Sequence, residues 1–259
     1  RVMRDPYLQA MGIEQWVRRE PHLQQAAAPE DKSSAARSPG TPPGEVAELV
    51  TPISEIELTP TQSRLSHNVD GLDWPELERR VAECTICDLH ATRTNTVFGV
   101  GDRNADWMVI GEAPGVDEDK QGEPFVGRAG QLLNAMLQAM GLKREQVYIA
   151  NILKCRPPQN RDPLRDEVLC CQPYLRRQIE LIQPKVILAV GRIAAQNLLE
   201  RDDTMKAMRG QRFEYADSGI PVVVTYHPAY LLRSPAEKRK AWQDLQFAMR
   251  LFAEQGGEA

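Results

Sequence analysis

The chain has 259 residues with 32 Lys and Arg against 36 Asp and Glu, a net charge of −4, which bounds it as one ordinary domain with extensions or two small domains. No apolar run approaches the roughly 18 residues that a membrane span needs and no secretory signal opens the sequence, so membrane and secreted roles are not expected and a cytoplasmic one is. Charge is uneven along the chain: residues 1–20 carry +1, residues 21–73 carry −5, and residues 74–259 carry 25 of each sign, so any contact with nucleic acid must be local rather than the work of a broad basic coat.

The first twenty residues hold two short amphipathic phases, Leu8 with Met11 and Ile13 with Trp16, separated by Gly12. Such an arm is too short to fold alone, and a tryptophan on it calls for a groove to cover it. Residues 21–73 follow with no aromatic side chain and with Pro29, Pro39, Pro42, Pro43, Pro52 and Pro60 punctuating an Ala-, Ser- and Glu-rich stretch. That composition buries too little apolar surface to offset chain entropy, and the segment reads as a disordered linker.

The folded body is expected from Trp74 to the end. Short β-branched runs at 107–110, 147–149, 186–190 and 222–225 read as strands buried on both faces, and helical periodicity fills 129–140, 165–182, 192–200 and 236–253. Strand and helix alternate, which predicts an α/β fold: a three-layer α/β/α sandwich around a central four-stranded parallel sheet. In such sheets the working residues lie in loops beyond the carboxyl ends of the strands.

Four of those loops carry unusual residues. After the first strand come Gly111, Glu112, Ala113, Pro114 and Gly115; the glycines let backbone approach a ligand and Glu112 can orient a water, with Glu118 in the same loop as the alternative carboxylate. The motif is neither a P-loop nor a GxGxxG turn. Phe125, among small residues, can stack on a flat heterocycle. Asn151, directly after the second strand, can read an imide or amide edge with one acceptor and two donors. His227, after the fourth strand, can stabilise charge on a leaving group. Behind it, Tyr230, Leu231 and Leu232 form an expected apolar wedge for a base step, with Arg233 beside them for a phosphate.

All five cysteines fall between Cys84 and Cys171. Cys84 and Cys87 form a CxxC pair, joined by Cys155 and by Cys171 or its neighbour Cys170. Four thiolates suit zinc or a [4Fe–4S] cluster, and spacing alone does not choose; nothing thioredoxin-like surrounds the pair.

These segments resemble the family-4 uracil-DNA glycosylases, the iron–sulfur type of bacteria and archaea. The resemblance rests on Cys84-x-x-Cys87, Gly111-Glu112-Ala113-Pro114-Gly115, Pro124-Phe125-Val126-Gly127, Asn151-Ile152 with Lys154-Cys155-Arg156-Pro157-Pro158, and His227-Pro228-Ala229-Tyr230-Leu231-Leu232, and it spans about residues 78–252. It implies a [4Fe–4S] cluster on Cys84, Cys87, Cys155 and Cys171, with Cys170 as an extra thiol. It further implies uracil-containing DNA as substrate, uracil stacked on Phe125 and read by Asn151 against Gly111, Ala113 and Gly115, a water positioned by Glu112, and the uracil anion stabilised by His227.

The arm resembles a different protein, the N-terminal peptide of the psi subunit of bacterial DNA polymerase III. That likeness covers Leu8 to Trp16 and Arg18-Arg19-Glu20-Pro21. It implies docking on the clamp loader through Leu8, Met11, Ile13 and Trp16, and possible service to the chi subunit, at a nucleoid-associated location. Two classes of function follow: a repair enzyme tethered to the replisome, or a replisome adaptor whose glycosylase body is mainly a scaffold.

Overall fold

The computed structural model describes residues 68–216 and 218–257. The arm with Leu8, Met11, Ile13 and Trp16, and the linker up to residue 67, lie outside the described residues.

Six strands form one sheet in the order β1-β3-β2-β4-β6-β5. Its centre is the expected parallel quartet: β3 (Tyr148–Asn151), β2 (Trp107–Gly111), β4 (Val186–Val190) and β6 (Pro221–Thr225). Every residue of these four strands is buried, which is why their sequences are runs of Val, Ile, Leu and Ala rather than alternations. Two-residue strands β1 (Val100–Gly101) and β5 (Phe213–Glu214) close the edges in antiparallel sense. Both were missed in the sequence because two residues carry no period.

Successive strand residues point to opposite faces, and two cores result. On one face Met108, Ile110, Ala150, Ile187 and Val224 pack with Leu175 and Ile179 of α4 (Arg165–Ile182) and Ala194 and Leu198 of α5 (Arg192–Leu199). On the other, Val109, Ile149, Leu188 and Val223 pack with Leu133 and Met136 of α3 (Arg128–Ala139) and Leu245 and Ala248 of α8 (Lys238–Glu254). Helix, sheet and helix make the three layers expected from the alternation.

A further helix, α1 (Trp74–Ala82), starts where Asp73 accepts from the Glu76 N–H and Pro75 occupies the first turn. It covers a third cluster in which Val69 is 3 % exposed beside Leu77, Val81, Phe98 and Tyr174, with Leu72 packed against it. The packed body therefore starts at least five residues before Trp74, and the linker assignment to residue 73 is too long at its end. Val69 and Leu72 escaped notice because two apolar residues beside Gly71 and Asp73 give no period to read. Short helices α2 (Val116–Gln121), α6 (Met205–Met208) and α7 (Pro228–Arg233) fill the loops.

The register matters for the site. Gly111 pairs with Asn151 across β2 and β3, and Val190 with Thr225 across β4 and β6. The chain thus leaves all four central strands at one edge of the sheet.

Candidate active site

A cleft of about 430 Å³ opens at that edge, lined by Glu112, Ala113, Gly115, Glu118, Phe125 and Asn151 and, opposite, by Asn160, Arg161, His227, Tyr230 and Arg233. Loops from β2, β3 and β6 thus meet as the sequence predicted, with Phe125 carried in between α2 and α3.

Gly111 is the hinge of the floor. A Cβ there would come within 2.5 Å of Asn151 Oδ1 and 2.6 Å of the Phe125 ring, so the bare backbone is what lets amide and ring approach each other. Asn151 is 2 % exposed and its Oδ1 has no hydrogen-bond partner among the described residues. A buried acceptor without a donor costs roughly 1–3 kcal/mol, and a ligand N–H would remove that cost. Its own carbonyl accepts from Lys154 Nζ at 3.0 Å.

Phe125 is held at φ +55°, a left-handed conformation that non-glycine residues seldom adopt. Glu118 braces the residues that follow Phe125. Its Oε1 accepts from the N–H groups of Val126 and Gly127 at 3.0 and 3.2 Å, and its Oε2 accepts from the Gly115 N–H at 3.1 Å. One carboxylate thus ties the loop after β2 to the residues just past Phe125. Both of its oxygens are committed, whereas those of Glu112 accept no hydrogen bond among the described residues.

Burial pushes the Glu112 carboxyl up to about 7, with the Asp162 charge adding to the rise and Arg192 opposing it. Burial also drives His227 down to about 4, helped by the Arg233 cation and opposed by Glu118. The imidazole is therefore neutral at neutral pH. Its Nδ1 accepts from the Ala229 N–H at 3.1 Å, so the ring proton resides on Nε2. The rings of Phe125 and His227 lie 5.6 Å apart. A flat ligand in this cleft finds a ring to stack on, an unpaired amide acceptor, an imidazole donor and a desolvated carboxylate.

The wedge expectation needs correction. Leu231 is 0 % exposed and belongs to the core that contains Leu132 and Leu133 of α3, while Leu232 packs partly buried against the same core. Helix geometry explains this: in α7 these side chains fall on the inward face. Tyr230, 37 % exposed and 5.0 Å from the Tyr226 ring, and Arg233 remain at the rim. Sequence reasoning gave no role to Asn160 and Arg161, which line the cleft. The signal was there in Pro157-Pro158, which force a tight turn; Gln159 and Asn160 follow at φ +57° and +54°.

The five cysteines are all free thiols, Cys155, Cys170 and Cys171 buried and Cys84 and Cys87 half-buried. They come from the end of α1, the loop after β3 and α4, and they lie close enough to bear on one another's ionisation. Burial raises the Cys87, Cys155 and Cys171 thiols and pushes Cys170 up to about 11. Among the described residues no three His, Cys, Asp or Glu side chains converge closely enough to hold a metal ion as they stand. The donor chemistry nonetheless fits a thiolate-bound group. Cys87, Cys155 and Cys171 pack in one apolar cluster and Cys84 against the neighbouring one, and the Arg93 guanidinium donates to Cys155 Sγ at 3.1 Å, a placement that suits a sulfur carrying negative charge.

Fold and cleft define the uracil-DNA glycosylase superfamily, whose family model matches residues 98–246. Among relatives, a type-4 uracil-DNA glycosylase of Archaeoglobus fulgidus is 46 % identical over 184 residues, covering 69 % of this chain and 92 % of the relative. One from Thermotoga maritima is 40 % identical over 183 residues, covering 70 % and 95 %. A type-5 enzyme of Pyrobaculum aerophilum is 32 % identical over 146 residues, covering 51 % and 64 %. The chain belongs to the type-4 uracil-DNA glycosylase family.

Proposed function

We propose that the protein excises uracil from DNA by hydrolysing the N-glycosidic bond, the first step of base excision repair. The observation that carries this reading is the buried, unpaired Oδ1 of Asn151 facing the same small cleft as Phe125 and His227. A uracil N3–H supplies the donor that this oxygen lacks, and the Asn151 amide N–H groups can meet the adjacent carbonyl.

A base inside a duplex must be extruded before its sugar bond is reachable, at a cost of roughly a few kcal/mol. Stacking on Phe125 and pairing with Asn151 repay it. As the C1′–N1 bond breaks, its electrons pass to the base, and the neutral His227 donates Nε2–H to the oxygen where negative charge collects. A neutral donor can stabilise the anion without being drawn to phosphates beforehand. Glu112, as carboxylate, accepts a proton from water while the water oxygen bonds to C1′. Tyr230, Arg161 and Arg233 at the rim are positioned to hold the flanking strand.

Cys84, Cys87, Cys155 and Cys171 would hold a [4Fe–4S] cluster, which when bound supplies iron–thiolate bonds that cross-link distant segments. Residues 1–20 would tether the enzyme to the clamp loader of a replicative polymerase, with Trp16 as anchor, so that it acts in the cytoplasm at nucleoid DNA. A chain of 47 residues, the number from 21 to 67, would if flexible have an r.m.s. span of about 40 Å, enough to reach nearby DNA without a rigid interface.

The test of activity is uracil release from single- and double-stranded DNA by wild type and by Asn151→Ala. The wild type releases uracil and the variant is at least tenfold slower; an inactive wild type would favour the adaptor class instead. Capture of the clamp loader by full-length protein, but not by Trp16→Ala, supports the tether, and equal capture by both removes it.

A further inference from the structure

Arg93 follows the CxxC turn in sequence, and beyond its hydrogen bond to Cys155 nothing above gives it a task. Its Nη1 donates to the Cys84 carbonyl at 2.8 Å and to Cys155 Sγ at 3.1 Å, and its Nη2 donates to the Ala82 carbonyl at 3.1 Å. The guanidinium therefore bridges two segments that supply thiols from positions 71 residues apart in sequence, the CxxC turn and the loop after β3. A lysine has no rigid fork with which to make these contacts together.

The backbone that follows is tied to α2, the helix that supplies Glu118 to the cleft. The N–H groups of Thr94 and Asn95 donate to Asp119 Oδ1 at 2.9 and 3.4 Å, and Asn95 Nδ2 donates to the Asp119 carbonyl at 2.9 Å. Asp119 is 4 % exposed and adjoins Glu118, the carboxylate that clamps the loops on either side of Phe125. Hydrogen bonds alternating with single backbone steps thus lead from Cys155 to the residues just after Phe125.

We propose that Arg93 is a positioning residue that gathers the thiol set for its cluster and, through Thr94, Asn95 and Asp119, carries that order into the base-binding loop. The inference rests on the [4Fe–4S] reading of the cysteines. Partners that orient ligands outside the bonded set typically contribute 10–100-fold to metal affinity, and hydrogen bonds to cluster sulfurs set the reduction potential.

The experiment uses the full chain, purified anaerobically as wild type, Arg93→Lys, Arg93→Gln and Asp119→Asn. Iron per chain, loss of the visible absorption to a chelator, the cluster potential, and kcat and KM on uracil DNA are recorded. Arg93→Gln is expected to lose iron at least tenfold faster and to shift the potential downward. Arg93→Lys should lie between it and wild type, because charge is kept and the fork is lost; as the milder change it reports even if Arg93→Gln does not fold. Asp119→Asn should hold iron within twofold of wild type yet raise KM severalfold, as Phe125 loosens. Wild-type iron retention and potential in both Arg93 variants would overturn the proposal while leaving the cluster reading intact. Unaltered KM in Asp119→Asn would overturn the relay. A wild type that binds no iron would overturn the cluster reading, and this proposal with it.

Discussion

If Glu112 takes the proton from the attacking water, excision must follow its ionisation. Burial places the carboxyl at about 7, far above the usual value near 4.5, so the carboxylate fraction is about 9 % at pH 6, 50 % at pH 7 and 91 % at pH 8. Single-turnover excision should accordingly rise about tenfold from pH 6 to pH 8 and level off. His227 at about 4 stays neutral across that window and adds no second limb. The neighbours give the sign of two perturbations. Asp162 raises the Glu112 value and Arg192 lowers it, so Asp162→Asn should move the limb to lower pH and Arg192→Gln to higher pH. Those two side chains pair with each other at 3.4 Å and are 71 % and 49 % exposed. Exposed charges are worth about 0.2–1 kcal/mol, which converts to a shift of roughly 0.15–0.7 pH unit. Single-turnover rates on single-stranded uracil DNA at saturating enzyme isolate the chemical step from product release. A flat profile between pH 5.5 and 8.5, or a Glu112→Gln variant with the wild-type rate, would refute the assignment.

Gly111→Ala should abolish excision while leaving the melting temperature within a few degrees of wild type, because the added Cβ meets Asn151 Oδ1 and the Phe125 ring at 2.5 and 2.6 Å; a variant with full activity would show that the floor yields. Nitrogen NMR should find His227 in the Nε2–H form and neutral down to about pH 5, since burial holds it near 4; an imidazolium at pH 6 argues against the donor role. The same depression means that stability tied to the neutral ring is whole above pH 6.5 and declines as pH falls toward 4, visible as a falling melting temperature. The purified protein should be brown, with about four irons per chain, and Cys84→Ala should lose both iron and stability; stoichiometric zinc after anaerobic preparation would point to a different metal.

The central sheet was legible because strands covered on both faces must be apolar throughout, and the periods of α3, α4, α5 and α8 were long enough to read. What stayed hidden depended on contacts between segments far apart in sequence. The edge strands are two residues long, too short to show alternation. Leu231 looked like a wedge because an apolar residue beside Tyr230 and Arg233 fits that role; only the packing of α7 on the second core turns it inward. Glu112 and Glu118 could not be separated from spacing, since both are carboxylates in one loop. The hydrogen bonds that separate them come from Val126 and Gly127, beyond the turn that holds Phe125.

The two acidic residues of this one loop sit in opposite surroundings. Glu118 is ringed by three backbone N–H donors, and a carboxylate so held serves as a fixed anchor whose charge is already spoken for. Glu112 sits in the same cleft with no hydrogen-bond donor from the described side chains or backbone recorded on its oxygens, and desolvation alone dominates its affinity for a proton. Burial without donors raises a carboxyl toward neutrality. His227 completes the pattern in reverse: its Nδ1 is occupied by a backbone N–H and its charge is suppressed by the same dry surroundings. The cleft thus holds an acid and an imidazole whose protonation is set chiefly by burial rather than by a charged partner. Bond cleavage there creates charge where little existed before, and a site built this way stabilises that charge more in the transition state than in the bound substrate.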